Sequence, residues 1–152
     1  MPTIIQEMII LKSRDEVYAL AQDYNLRLDW DPFLRDIRFV SQSKELARGL
    51  QVWVKAHNRM EMTVEYVNYS PPAHVAMKMI DGPFIFSHFS GTWLFDEVDR
   101  TTTRVIFKYK FTPIFLFYPV QFIIRWFLNR DMKQRLIALK QYAETHDLLE
   151  LV

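Results

Sequence analysis

The sequence contains no cysteine and only three glycines in 152 residues. Without thiols there is no disulfide, no thiolate nucleophile and no Cys-ligated metal, and this usage fits a cytosolic setting. Charge of one sign is also lacking. Nineteen basic residues stand against eighteen acidic ones, a net charge of +1, which removes the bulk electrostatic case for a nucleic-acid partner. The N-terminal Met1-Pro2-Thr3-Ile4-Ile5 lacks the basic start and long apolar run of a signal peptide. No repeat, linker or low-complexity tract divides the chain, which reads as one domain over residues 1–152. Nucleophile elbows, phosphate loops and dinucleotide fingerprints are missing. His57, His74, His88 and His146 show no metal-ligand spacing, so neither a metal nor a cofactor is expected.

Wide, adaptable apolar side chains are abundant instead: twelve Phe, seven Tyr, four Trp and seven Met. The segment Pro113 to His146 reads as one long helix. In its second half Met132, Leu136, Leu139 and Ala143 recur at spacings of three and four, an apolar stripe at the helical period, with Lys133, Arg135, Lys140 and Glu144 off its centre. Continued backwards, the same stripe passes through Asn129, Arg125 and Gln121. A helix that points polar groups where it later points its core suggests a cavity beside its first half.

The rest of the chain supplies a cover for that helix. Thr3 to Lys12 reads as a strand. Ser13-Arg14-Asp15-Glu16 is a capping box opening a short helix with Val17, Leu20 and Ala21, ending near Asp23. Pro32 disfavours helical geometry at Asp31, which predicts a bend or a new helix start there, and Arg35 to Ser41 fits a second strand. From Leu50 onward the period is two: Val52, Val54 and Ala56; Met60, Met62, Val64 and Tyr66; Val75, Met77 and Met79; Val105, Phe107, Tyr109 and Phe111. Short connections at His57-Asn58-Arg59, Ser70-Pro71-Pro72, Asp81-Gly82-Pro83 and Asp99-Arg100-Thr101 predict hairpins. The expectation is an α+β domain in which an antiparallel sheet covers the long helix with one face.

This order of elements resembles the helix-grip fold of the START-like superfamily, which includes polyketide cyclases and lipid-transfer domains. Met79-Ile80-Asp81-Gly82-Pro83-Phe84 and Gly91-Thr92-Trp93-Leu94-Phe95 look like the pattern of its coenzyme Q-binding branch, and Asp23 to Phe33 is similar to the superfamily's helical bend. The resemblance implies a curved antiparallel sheet wrapped around the C-terminal helix, two short helices after the first strand, and an internal cavity between sheet and helix.

Candidate pocket residues are Trp30, Phe33, Val52, Val54, Met62, Val64, Tyr66, Met77, Met79, Phe84, Phe107, Tyr109 and Phe122, with Gln121, Arg125 and Asn129 as polar anchors. A surface Arg125 on a rotated helix is the competing reading of that position. The leading function is a carrier or sensor of a lipid, isoprenoid quinone or polyketide-like compound. The alternatives are a cyclase- or lyase-type enzyme drawing on Asp31, His57, His88, Tyr66 or Tyr109, and a protein-interaction module. Phe111 to Leu128, 18 residues with Arg125 as the one charge, approaches the length of a membrane span. Its prolines and polar residues argue against spanning. Ile123, Trp126 and Phe127 then form an outward surface for transient contact with membrane or protein, or for burial within the fold or a homodimer. A cytoplasmic protein, peripheral at a membrane when docked, is the expected setting.

Overall fold

The structure, a computed structural model, describes residues 2–40 and 45–152. Six strands follow one another in the chain: β2 (Leu34–Phe39), β3 (Gln51–Ala56), β4 (Glu61–Ser70), β5 (His74–Asp81), β6 (Phe86–Asp99) and β7 (Thr102–Pro113). β1 (Thr3–Ile10) adds antiparallel beside β7, giving one seven-stranded sheet in the order β1-β7-β6-β5-β4-β3-β2. Alternation sets the register. Val52 lies opposite Val64 and Val54 opposite Met62; Val64 faces Met79 and Tyr66 faces Met77; Gly91 meets Tyr109 and Trp93 meets Phe107. These side chains share the inner face, since a one-residue slip would turn Glu61 and Lys108 inward.

Two short helices separate β1 from β2. In α1 (Arg14–Gln22) the Ser13 hydroxyl accepts from the Glu16 N–H at 3.3 Å and donates to the Glu16 carboxylate at 2.8 Å. Asp23 ends α1 and caps α2 (Tyr24–Trp30) by accepting from the Asn25 N–H. The Asp31-Pro32 bend terminates α2 rather than starting a helix, as the constraint on residues before proline requires.

The C-terminal segment is not one continuous helix from Pro113. Pro113 ends β7, Phe115–Val120 form a short 3-10 helix, and the α-helix α3 spans Gln121–Thr145. Pro119 offers no N–H to an α-helical ladder, so regular α geometry begins only after it. β1 stops at Ile10, not Lys12, and β2 at Phe39, while Ser41 lies outside the described residues. The apolar stripe Met132, Leu136, Leu139 and Ala143 is buried and packs with Ile10, Val17, Leu20, Val105 and Leu148 in one core. A curved antiparallel sheet gripping a long helix is therefore the architecture of this α+β chain.

The polar track on α3 has a different job from the one its position on the helical stripe suggests. β1 is an edge strand, with backbone groups that no neighbouring strand satisfies. Arg125 donates to the Thr3 carbonyl at 3.2 Å, Lys140 donates to the Ile9 carbonyl at 2.6 Å, and Glu144 accepts from the Leu11 N–H at 2.9 Å. Gln6 donates from its side chain to Asn129. α3 thus closes the open edge of the sheet with side chains.

Candidate functional site

Beneath the first half of α3 the sheet's curvature leaves a cavity of about 420 Å³. Its walls come from every layer. The helical bend gives Tyr24, Arg27, Phe33 and Leu34, β3 gives Val54 and Ala56, and β4 gives Met62 and Val64. Met77 and Met79 of β5, Phe86, Phe89, Gly91 and Trp93 of β6, and Phe107 and Tyr109 of β7 form the concave floor. α3 contributes Ile124, Phe127, Leu128, Asp131 and Arg135, and the β5–β6 connection Pro83 and Ile85. Asn58, Met60, Glu61 and Phe127 line the cavity and are also exposed, which marks its mouth. A smaller pocket of about 170 Å³ adjoins through Phe33, Ala56, Asn58 and Asp131, with His57 and Gln134 on its wall.

Polar groups gather at the buried end. The Asp31 Oδ2 accepts from Arg135 Nη2 at 2.9 Å and from Arg135 Nε, and the same oxygen accepts from Arg27 Nε at 2.9 Å. The Phe33 N–H also donates to Asp31 at 3.0 Å. Arg27 reaches the Ala21 carbonyl, and Arg135 donates from Nη1 to the Tyr109 hydroxyl at 2.5 Å. Aromatic rings cover the guanidiniums: Arg135 lies 5.1 Å from the ring centres of both Phe33 and Phe107, and Arg27 5.0 Å from Trp30. Such stacking suits the weakly hydrated, planar arginine head.

Two guanidiniums share one carboxylate here, and all three side chains are buried. Burial alone would raise the Asp31 pKa, but Arg135 and Arg27 more than offset it and hold the carboxyl below its ordinary value. Burial pushes the Tyr109 phenol up despite Arg135 beside it, so the phenol keeps its proton. Its oxygen is occupied as an acceptor from Arg135 and its own hydrogen is left to donate. Gly91 makes room for this ring, because a Cβ there would lie 3.3 Å from Tyr109 Cε1. Asp131 is the one further carboxyl of the wall near this cluster. Burial raises its pKa, against the pull of Arg135 and Arg130. Among the described residues no three His, Asp or Glu side chains converge as a metal site.

Of the candidate pocket set, Phe33, Val54, Met62, Val64, Met77, Met79, Phe107 and Tyr109 stand on the cavity wall. Trp30 and Val52 are packed into the core instead. Tyr66 is core as well, its hydroxyl bonded to Tyr24 and Gln22. Phe84 and Phe122 are exposed and off the wall: Phe84 packs on Phe117 instead, and α3 turns Ile124, Phe127 and Leu128 to the cavity rather than Phe122. Gln121, Arg125 and Asn129 are not on the wall; Arg125 and Asn129 serve the β1 edge, so none is a cavity anchor. Asp31 and Tyr109 are brought together through Arg135, while His88 is exposed and not on the wall, although its neighbour Phe89 is. Arg135, Arg27 and Asp131 were not among the expected site residues. Nor were Phe89, Gly91 and Trp93 of β6, although Phe89, Gly91, Trp93 and Phe95 alternate in the sequence and would have marked an inner face.

No curated protein matches the sequence. The fold is shared with solved structures of low identity. An aromatase/cyclase, Zhui from Streptomyces, superposes with a TM-score of 0.81 at 15% identity over 94% of this chain and 93% of its own. A START superfamily protein from Mycobacterium smegmatis gives 0.79 at 8% over 94% and 97%. Norcoclaurine synthase from Thalictrum flavum gives 0.73 at 9% over 96% and 88%. Residues 2–144 match the family described as polyketide cyclase / dehydrase and lipid transport, and to that START-like family this chain belongs.

Proposed function

We propose that the chain binds a hydrophobic small molecule in the cavity between sheet and α3, as a carrier or sensor. Lipids, isoprenoid quinones and polyketide-like compounds are the classes of ligand in view. The observation that carries this reading is an apolar cavity of about 420 Å³ with one polar end, within the usual size of small-molecule sites. At that end Arg135 and the protonated Tyr109 offer donors, Asp31 is already occupied by both arginines, and Asp131 is the remaining carboxyl on the wall. A ligand with an apolar body and a carbonyl, enolate or carboxylate head fits that chemistry. The sixteen residues proposed from sequence therefore reduce to Phe33, Val54, Met62, Val64, Met77, Met79, Phe107 and Tyr109, joined by Arg135.

Mass spectrometry of an organic extract of the purified protein should find such a molecule. A fluorescent long-chain fatty acid should bind roughly ten- to a hundred-fold tighter than the matched hydrocarbon, the worth of a hydrogen bond to a charged donor. Tyr109→Phe and Arg135→Met should narrow that gap, the first without loss of fold. Equal affinity of acid and hydrocarbon for the wild type would defeat the head-group assignment.

A second reading, a cyclase-type enzyme, is favoured by Asp131. A carboxyl whose pKa burial raises faces the same cavity as a cation-backed phenol that burial keeps protonated, so the carboxyl can exchange a proton while the phenol donates a hydrogen bond. Proton removal beside a carbonyl held by Arg135 and Tyr109 is the step this pair can perform. In either reading Asp131 acts on an anionic head. As pH rises through its raised pKa it ionises and opposes the ligand's charge, with Arg135, Arg130 and Arg27 on the other side of the balance and His57 and Glu61 nearby. Asp131→Asn should tighten fatty-acid binding roughly three- to ten-fold at neutral pH, the difference fading as pH falls into the carboxylate range. Titrations of both proteins across that range measure it.

A further inference from the structure

The entry to α3 is a hydrophobic ridge that the fold leaves uncovered. No residue of the 3-10 helix Phe115–Val120 is buried, and Phe115 and Phe122 are 77% and 70% exposed. Trp126 and Phe127 continue the ridge along α3, more than half exposed. The β5–β6 connection joins it, with Phe84 edge-on to Phe117 and the Ile114 N–H bonded to the Ile85 carbonyl at 2.8 Å. Isolated apolar side chains on a surface need no explanation, whereas a continuous aromatic ridge does.

Charge identifies the occupant. From Pro113, where the ridge begins, to Arg130 the sequence has no acidic residue, and its charges are Arg125 and Arg130. Arg130 lies over the Trp126 ring, Arg125 directly precedes Trp126 and reaches the Thr3 carbonyl, and Lys133 and Lys110 are exposed beyond. The carboxyls of this region are Glu61 at the mouth, Asp131 on the cavity wall and Asp81 at the end of β5, none of them on the ridge itself. Aromatic rings flanked by cations, with no carboxylate among them, complement a bilayer surface of anionic headgroups over acyl chains. None of the described helices is long and apolar enough to cross a membrane.

We infer that this ridge docks the protein on the surface of an anionic lipid bilayer, lying in the interface without spanning it. Phe127 belongs both to the ridge and to the cavity wall, and Ile124 beside it lines the cavity too. A docked molecule therefore opens its mouth toward lipid, and an apolar ligand can pass between bilayer and cavity without crossing water. That route rests on the cavity reading; the docking does not.

Vesicle co-sedimentation tests it with phosphatidylcholine alone and with added phosphatidylserine. The wild type should pellet with the anionic vesicles, less at high salt, and less with phosphatidylcholine alone. Phe115→Ser/Phe122→Ser should partition at least roughly ten-fold more weakly with unchanged thermal unfolding, since neither ring is buried or on the cavity wall. Arg130→Glu/Lys133→Glu should lose the preference for anionic lipid. Equal sedimentation of wild type and the Phe variant would overturn the proposal. So would a wild type that stays in the supernatant and sediments in solution as a dimer, the ridge then being an interface between copies. Fatty-acid binding measured without vesicles should be unchanged in the Phe variant, so failure of the docking leaves the cavity reading separately testable.

Discussion

Asp31→Ala should cost about 3–5 kcal/mol of unfolding free energy, the largest loss expected of any single substitution at the site. The carboxylate neutralises two buried guanidiniums, Arg27 and Arg135, and removing it leaves both in a low-dielectric interior with one hydroxyl and one carbonyl between them. Urea denaturation measures the loss; a cost under about 1 kcal/mol would mean that water already solvates the arginines. The pH sign follows from the depressed Asp31 pKa. Its contribution is present above the ordinary aspartate range and is lost as pH falls through the lower folded-state value. The wild type's advantage over Asp31→Asn should therefore vanish in acid. Replacing the whole cluster by apolar residues, Arg27→Met, Asp31→Leu and Arg135→Met together, should recover most of the stability while abolishing preference for an acidic ligand. Recovery of stability without that preference separates what the cluster does for folding from what it does for binding.

Periodicity made the frame legible. Alternation along β3, β4, β5 and β7 is local and survives without any knowledge of partners, as does the stripe Met132, Leu136, Leu139 and Ala143. The polar end of the cavity was not legible for the converse reason. Arg135 sits off the stripe's centre and reads as a solvated charge unless its partner is known, and Asp31 lies 104 residues away in sequence. Arg27 and Asp31 do form an i,i+4 pair, but such pairs usually decorate surfaces. Arg125 and Asn129 misled because a polar stripe can face a cavity or a strand edge equally well. What decides between them is that β1 is an edge strand, a fact of topology that no window of sequence contains.

The division of the sheet's inner face into core and wall predicts a contrast between two identical residues. Val52 and Val54 lie on the same strand and the same face, opposite Val64 and Met62. Val52 is fully buried in the core and Val54 lines the cavity. An asparagine at Val52 must place an amide among apolar atoms with neither room nor partner. Val52→Asn should cost about 3 kcal/mol or more, combining lost apolar burial with an unsatisfied polar group. An asparagine at Val54 projects into open space where water reaches its amide in the empty protein, so Val54→Asn should cost about 1 kcal/mol or less. Its effect falls on binding, because a hydrocarbon or fatty-acid chain must displace that water and strip the amide. Affinity for the fluorescent fatty acid should fall by roughly ten-fold in Val54→Asn. Urea denaturation and probe titration of the two variants decide the matter. Equal destabilisation by both would mean that the space beside Val54 is not a ligand cavity but a void that the folded protein keeps dry.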